Sequence, residues 1–372
     1  MLVIGLTGPV AGRLTDRYGP KTLILSGAVI SGAGLMLLSQ ATEIWHLYVL
    51  YLVVGIGMSG AGVVPVGAAI SNWFTRRRGT AMGITTAGIA LGALLIVPLT
   101  DYLISISWQT AFLVLGVINF ILIIPPVMLV MKTRPEDAGL LPDGAAPLDE
   151  VTIAEMEAVP GAEVSFDVEP QWTVSKAMRS PSYWLMVAAF FLGGTAIAGI
   201  LQNEVTFLEA MPIPGIAAVA AIALGFTGGI GGLGKLAFGY LADKISSKYA
   251  AILCFSLQLV GVVILIVTQS VAMVWVFVVV FGFAMGGNIT LQPLITGELF
   301  GTKSFGAIFG WVVLAGAVGA ALGPVLMGAI YDASGSYSLA FTTVLVIYAV
   351  AIAALFFARR PRLNAGDAVT AG

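Results

Sequence analysis

Gly12-Arg13-Leu14-Thr15-Asp16-Arg17 returns, 227 positions later, as Gly239-Tyr240-Leu241-Ala242-Asp243-Lys244. The same offset of 227 carries Gly55, Met58 and Gly60 onto Gly282, Met285 and Gly287, and Gly79, Gly83 and Gly92 onto Gly306, Gly310 and Gly319. At an offset of 229, Trp108, Ala111 and Phe112 fall on Tyr337, Ala340 and Phe341. Solenoid repeats have periods of about 20–50 residues. A unit this long is instead half a molecule, duplicated.

The sequence between these landmarks is apolar. Of its 372 residues, 59% are hydrophobic and 10% charged, where soluble domains carry about 25% charged residues; mean hydropathy is +1.01. Ten runs are long enough to cross a bilayer, which takes about 20 residues. They cover residues 22–39, 45–70, 80–104, 110–131, 183–208, 216–241, 249–268, 272–297, 304–331 and 338–358. The runs are continuous rather than alternating, which excludes a β-barrel. The expectation is an all-α, polytopic membrane protein. Two parallel halves in such a chain point to a transporter whose site lies at the seam between them.

Residues 1–12 are apolar too, but Arg13 ends the run too early for a span. The offset places Met1 opposite Gly228, inside a span of the second half, and residues 183–227 have no counterpart in the first half. The sequence therefore reads as a twelve-helix plan of two six-helix bundles, entered inside helix 2, with helix 1 and part of helix 2 missing. The ten full spans are then helices 3 to 12. Residues 1–12 lack the basic n-region of a signal peptide. The expected boundaries are an N-terminal bundle over 1–131, a linker over 132–181, a C-terminal bundle over 182–360 and a tail over 361–372. With ten carboxylates and several prolines, the linker reads as a flexible hinge.

Charge sets the orientation. Arg13, Arg17, Lys21, Arg76 to Arg78, Lys132, Arg134, Lys176, Arg179, Lys244, Lys248, Lys303, Arg359, Arg360 and Arg362 all fall on one side of the spans. The loops opposite hold Glu43, Asp101, Glu209 and Asp332, with no Lys or Arg. This asymmetry predicts a cytoplasmic linker and C-terminus in the plasma (inner) membrane.

Cys254 and His46 are each the sole residue of their type, which forbids an internal disulfide and counts against a cysteine-built metal site or a histidine-based scheme. His46, beside Trp45 and Tyr48, fits an interfacial aromatic belt. Gly229 to Lys235 matches a G-x-G-x-x-G string and most of a phosphate-binding G-x-x-x-x-G-K string. Both need a strand–loop–helix context that a membrane span denies them, and Leu236 stands where a magnesium-binding Ser or Thr is needed. Nothing clusters as nucleophile, base or metal ligand. The reading is a non-enzyme that needs no cofactor or metal and has no nucleic-acid partner. Its partners are the lipid bilayer and a small molecule, and the chain is monomeric.

The quoted motif carries a resemblance. Gly12, Leu14, Asp16, Arg17, Gly19 and Lys21 follow the Gly-x-Leu-x-Asp-Arg-x-Gly-x-Lys signature of the major facilitator superfamily. The second copy keeps Gly239, Leu241, Asp243 and Lys244 without the later glycine. Asn72-Trp73-Phe74-Thr75-Arg76-Arg77-Arg78-Gly79-Thr80-Ala81-Met82-Gly83 is similar to the monocarboxylate and oxalate–formate branch, where a Trp-Phe pair precedes Arg-Gly-x-Ala-x-Gly. The stretch from Arg134 to Gly144 resembles the linker of bacterial members.

Physical roles follow for the gate residues Gly12, Asp16, Arg17, Gly239, Asp243, Lys244 and Arg78. Helix 11 starts near Ser304-Phe305 and helix 5 near Arg78-Gly79. A carboxylate over a helix N-terminus gains about 0.3–1 kcal/mol. Asp16 is expected over helix 11 and Asp243 over helix 5, latching the linker side shut.

Lys235 lies about two turns from Asp243 within an apolar run, and an ionisable group at such depth marks function. The resemblance implies that a cation four residues before the helix-8 glycine contacts a substrate carboxylate, which is the position of Lys235 before Gly239. Snorkelling, or pairing with Asp243, is the plainer alternative. Asn288 and Gln292 share a face of helix 10 as candidate cavity liners, and Asn203 is a further substrate-binding candidate on helix 7. Glu204 reads as a proton-carrying carboxylate, a counter-charge for Lys235, or a group near the outer surface that faces water. The branch often carries a second cation in helix 11, and residues 304–331 contain none. That favours a monoanion. Helix 5 lacks the glycine–proline motif of superfamily drug antiporters, which counts against drug export. The expected cargo is a small organic anion, moved with a proton or by exchange. A sugar, drug or other solute carrier, or a truncated non-transporting fragment or receptor, is the alternative.

Overall fold

The computed structural model describes residues 2–144 and 172–361. Met1, the middle of the expected linker (145–171) and the tail from 362 onward lie outside them. The described residues form thirteen α-helices. They are α1 (Leu2–Tyr18), α2 (Pro20–Leu38), α3 (Ile44–Gly60), α4 (Val63–Trp73), α5 (Arg78–Ile106), α6 (Trp108–Leu129), α7 (Val174–Arg179), α8 (Pro181–Glu209), α9 (Ile216–Ala242), α10 (Ser247–Ile266), α11 (Val271–Phe300), α12 (Phe305–Ser334) and α13 (Tyr337–Phe357).

Ten stretches are long and apolar enough to cross a membrane: α2, α3 with α4, α5, α6, and α8 to α13. They coincide with the ten runs of the sequence, their ends shifted by a few residues. Helix is the form that satisfies every backbone N–H and C=O within one segment when no water is present. The ends are set by local chemistry. Ser107 accepts from the Thr110 N–H at the start of α6, Ser270 accepts from Met273 at α11, and Pro20 and Pro181 open α2 and α8. His46, expected in an aromatic belt, accepts the N–H groups of Thr42 and Glu43 at Nδ1 and so caps α3.

Three local expectations change. First, Arg13 ends the apolar run but not the helix, so the first copy of the motif is wholly helical and the second is helical as far as Ala242. Helix α1 runs past Arg13 and Asp16 and stops at Gly19, whose φ is +84°. Charges at a helix end in the headgroup region do not unwind it, and the break waits for Gly19-Pro20. Second, the span expected over 45–70 is interrupted at Ala61-Gly62. Pro65 has no N–H for the Ala61 carbonyl and its ring crowds that group, so the helix restarts. Third, both ends of the expected hinge are structured. Asp143 (φ +61°) accepts the N–H groups of Thr75 and Arg76. The Trp172 N–H donates to the Phe300 carbonyl, and Thr173 caps α7. Residues that suit a solvated chain serve here as caps.

Helix α2 packs against α3 and α6, while α8 packs against α12 and α13, and α11 against α9 and α10. The dense core lies among α8 to α13, where Phe190, Phe255, Phe277, Phe281 and Tyr348 are fully buried. The two halves meet chiefly along α1 with α12 and α5 with α9. Under the internal repeat these two pairs are equivalent.

Candidate functional site at the seam between the halves

The halves approach through backbone on backbone. A Cβ on Gly12 would run into the Gly306 carbonyl oxygen, and one on Gly8 would lie 2.9 Å from that of Gly310. In the other pair, a Cβ on Gly239 would lie 2.5 Å from the Gly79 carbonyl oxygen, and one on Gly83 would lie 2.8 Å from that of Lys235. Only glycine permits this spacing.

The approach places each aspartate over a helix start. Gly306 N–H and Ala307 N–H donate to the two oxygens of Asp16, each at 2.8 Å, at the N-terminus of α12. Gly79 N–H (2.6 Å) and Thr80 N–H (2.7 Å) donate to Asp243 at the N-terminus of α5, and the Thr80 hydroxyl adds a third bond. Such N–H groups have no intrahelical partner and carry the positive end of the helix dipole. The remaining gate candidates divide. Arg78 is buried, and its guanidinium donates to the carbonyls of Phe74 and Ser71. Arg17 and Lys244 are exposed and lie over the rings of Tyr18 (5.2 Å) and Tyr240 (5.4 Å). Glu298, at the end of α11, accepts from Ser246 Oγ and the Ser247 N–H and so caps α10.

Beyond the contact of Gly232 with Ala90, α5 and α9 part. Around Gly92, Gly225, Gly228 and Gly229 a Cβ would meet nothing within 4 Å, and Leu91, Leu94, Leu95 and Val97 are exposed. The seam is shut on the linker side and splayed on the other.

Lys235 sits where the splay begins. Its backbone packs on Gly83 of α5 and Gly286 of α11, and the residue is 8% exposed. No described group accepts a hydrogen bond from its ammonium, and Asp243 has both oxygens engaged by α5. Near the same level the hydroxyls of Thr86 on α5 and Thr290 on α11 share a buried hydrogen bond of 2.7 Å, tying one half to the other. On α11, Gln292 Nε2 donates to Asn288 Oδ1 at 2.8 Å. The Asn288 amide nitrogen, facing Gly193 of α8, is buried without a partner.

Glu204 occupies another layer. It is fully buried on α8, not facing water. Thr227 Oγ1 donates to its Oε1 at 3.3 Å, and Oε2 has no partner. Thr227 precedes Lys235 by eight residues on α9, about 12 Å along a helix, so the carboxyl and the ammonium are not a pair. Asn203, half-buried, donates to Gly199 within its own helix. The fold thus sets Lys235 at the seam, turns Asn288 and Gln292 of α11 toward Gly193 of α8 and Gly316 of α12, and places Glu204 and Asn203 in a layer apart from Lys235. Thr86, Thr80 and Asp143 escaped the sequence reading, and Glu298, which the sequence offers as a gate residue or loop partner of Lys303, caps α10. For Thr80, a hydroxyl residue in the first turn of a helix was a usable signal. For Thr86 nothing local distinguishes it from the adjacent Thr85.

The model of the Major Facilitator Superfamily matches residues 1–292 and, separately, 217–371. The chain belongs to the Major Facilitator Superfamily. The chain is 25% identical over 346 residues to monocarboxylate transporter 13 of Bos taurus, covering 90% of this chain and 72% of that one. It is 26% identical over 363 residues to monocarboxylate transporter 12 of Homo sapiens, covering 90% and 67%. Among bacterial proteins it is 22% identical over 326 residues to the MFS-type transporter YhjX of Escherichia coli strain K12, covering 86% and 74%. The fold is similar to that of the E. coli fucose:proton symporter, with a TM-score of 0.72 at 15% identity, covering 97% of this chain and 89% of that chain. This is a multi-pass transporter of small molecules, not an enzyme.

Proposed function

We propose that this transporter carries a small organic anion of the monocarboxylate type by alternating access, coupled to protons or exchanging one anion for another. The observation that carries the proposal is Lys235: a cation sunk in a span beside the seam, with no described partner for its charge. An unpaired ammonium at such depth costs about 2.5–3.5 kcal/mol on insertion scales, and a carboxylate cargo supplies the missing charge. The other buried cation among the described residues, Arg78, has backbone carbonyls for its guanidinium. Asn288 and Gln292 complete the polar lining. Glu204, enclosed but with one free oxygen, takes and returns the proton, and Asn203 beside it on α8 extends that polar patch. Asp16 and Asp243, with Gly12, Gly239, Arg78, Arg17 and Lys244 around them, form the two-part gate on the linker side.

The same reading places the linker and C-terminus in the cytoplasm and the protein in the plasma (inner) membrane as a monomer. Its units are a bundle over 1–131, a linker over 132–181, a bundle over 182–360 and a short tail. The names of the mammalian relatives support the carboxylate. The fucose symporter of like fold supports a second reading, a neutral sugar. Uptake of labelled carboxylates and sugars into proteoliposomes, with and without a pH gradient, separates the two. Carboxylate uptake that falls at least about tenfold in Lys235→Gln, the loss of one desolvated charge contact, supports the anion. Unchanged uptake of a neutral solute in the same variant overturns it.

A further inference from the structure

The ends of α4 and α6 on the linker side enclose a lateral groove of about 550 Å³. Its walls are Ile70, Trp73 and Phe74 from one helix and Pro126, Val127 and Val130 from the other, and Lys132 stands at its mouth. The apolar wall faces outward from the bundle, with Pro126 and Val130 exposed. The indole N–H of Trp73 donates to the carbonyl of the exposed Lys132 at 2.9 Å, which fixes the ring at the groove's polar end. A second cation lies on the same turn of α6: Lys21 of α2 donates to the carbonyl of Met128, next to Val127, at 3.0 Å. A lysine ammonium has three donors, so Lys21 keeps two for another partner. The acidic group on this turn, Asp143, is occupied by the N–H groups of Thr75 and Arg76.

The groove therefore has an apolar trough at the depth of acyl chains and two ammonium groups at the depth of headgroups. We propose that it seats one anionic phospholipid of the linker-side leaflet, its acyl chain along Ile70, Phe74 and Val127 and its phosphate between Lys21 and Lys132. A zwitterionic lipid fills the trough equally well but gains less from the two charges. A cation at the membrane surface favours an anionic lipid by about 1 kcal/mol, which is about fivefold per lysine. The proposal is independent of the cargo, since it concerns the lipid-facing side of α4 and α6 and not the seam.

Trp73 is the reporter. The full chain is reconstituted in phosphatidylcholine vesicles containing a minor fraction of lipid brominated on its acyl chains, either phosphatidylglycerol or phosphatidylcholine. The Trp73 signal is the difference between wild type and Trp73→Phe. The expected result is quenching several-fold stronger by brominated phosphatidylglycerol, unaffected by millimolar inorganic phosphate. This preference drops about fivefold in Lys132→Gln and returns in Lys132→Arg. Val127→Trp, which fills the trough, removes quenching of Trp73 by both lipids. Equal quenching by the two brominated lipids in the wild type overturns the proposal. So does a preference that survives the combined Lys21→Gln and Lys132→Gln changes, or one that free phosphate abolishes.

Discussion

The aspartates at the seam act through charge placed against helix N-termini. Asp16 and Asp243 each bind two backbone N–H groups of a helix in the opposite half. Charge-assisted hydrogen bonds of this kind are worth about 1.5–3 kcal/mol each. An amide in place of the carboxylate forfeits the charge and offers only one good acceptor. Asp16→Asn and Asp243→Asn are each expected to shift the protein toward the state open on the linker side. Spin labels at Leu14 and Lys303, where Cys254 is fully buried and does not react, should report a longer distance in the variants. An unchanged distance would remove these aspartates from the gate. Glu204 makes a separate prediction. Glu204→Gln should abolish the dependence of uptake on a pH gradient while preserving exchange of one anion for another. If gradient-driven uptake persists, the proton travels elsewhere.

At the scale of elements, the helix ends and the glycine faces carry the argument. Ser107 caps α6 through the Thr110 N–H at 3.0 Å, and loss of such a cap costs about 0.5–2 kcal/mol. Ser107→Ala should lower the melting temperature measurably without changing uptake, since it lies away from the seam. Glycine faces behave in the opposite way. Gly12→Leu would place a side chain against the Gly306 backbone, which has no rotamer to yield. The contact lies between the halves rather than inside a bundle, so folding should survive while closure of the linker side does not. Normal melting together with lost uptake is the expected pair of results, and normal uptake would refute the close approach of α1 and α12. The break at Ala61-Gly62 belongs to this scale too. Pro65 was visible in the sequence, yet hydropathy integrates over a whole span and does not register one missing hydrogen bond.

For the whole molecule, the proposed alternating access predicts that the halves rock about the level of Lys235. Labels at Val97 on α5 and Ile222 on α9, both exposed, should approach one another when Asp16→Asn or Asp243→Asn opens the linker side. If they move apart together with the linker-side pair, the halves separate rather than rock.

Much of the architecture needed no coordinates. Ten continuous apolar runs, a repeat at a fixed offset and the one-sided distribution of Lys and Arg are properties of the chain itself, because a bilayer imposes length, polarity and backbone satisfaction one segment at a time. The placement of Asp16 and Asp243 over α12 and α5 was legible for the same reason: the repeat pairs each motif with a helix start. What only the tertiary structure decided is which polar groups meet. Glu204 turned out to be enclosed beside Thr227, remote from Lys235, and Thr86 turned out to face Thr290 across the seam. Those outcomes depend on how each helix is rotated about its axis and how deep it sits. The packing of several neighbours sets both, and no single segment's hydropathy encodes either.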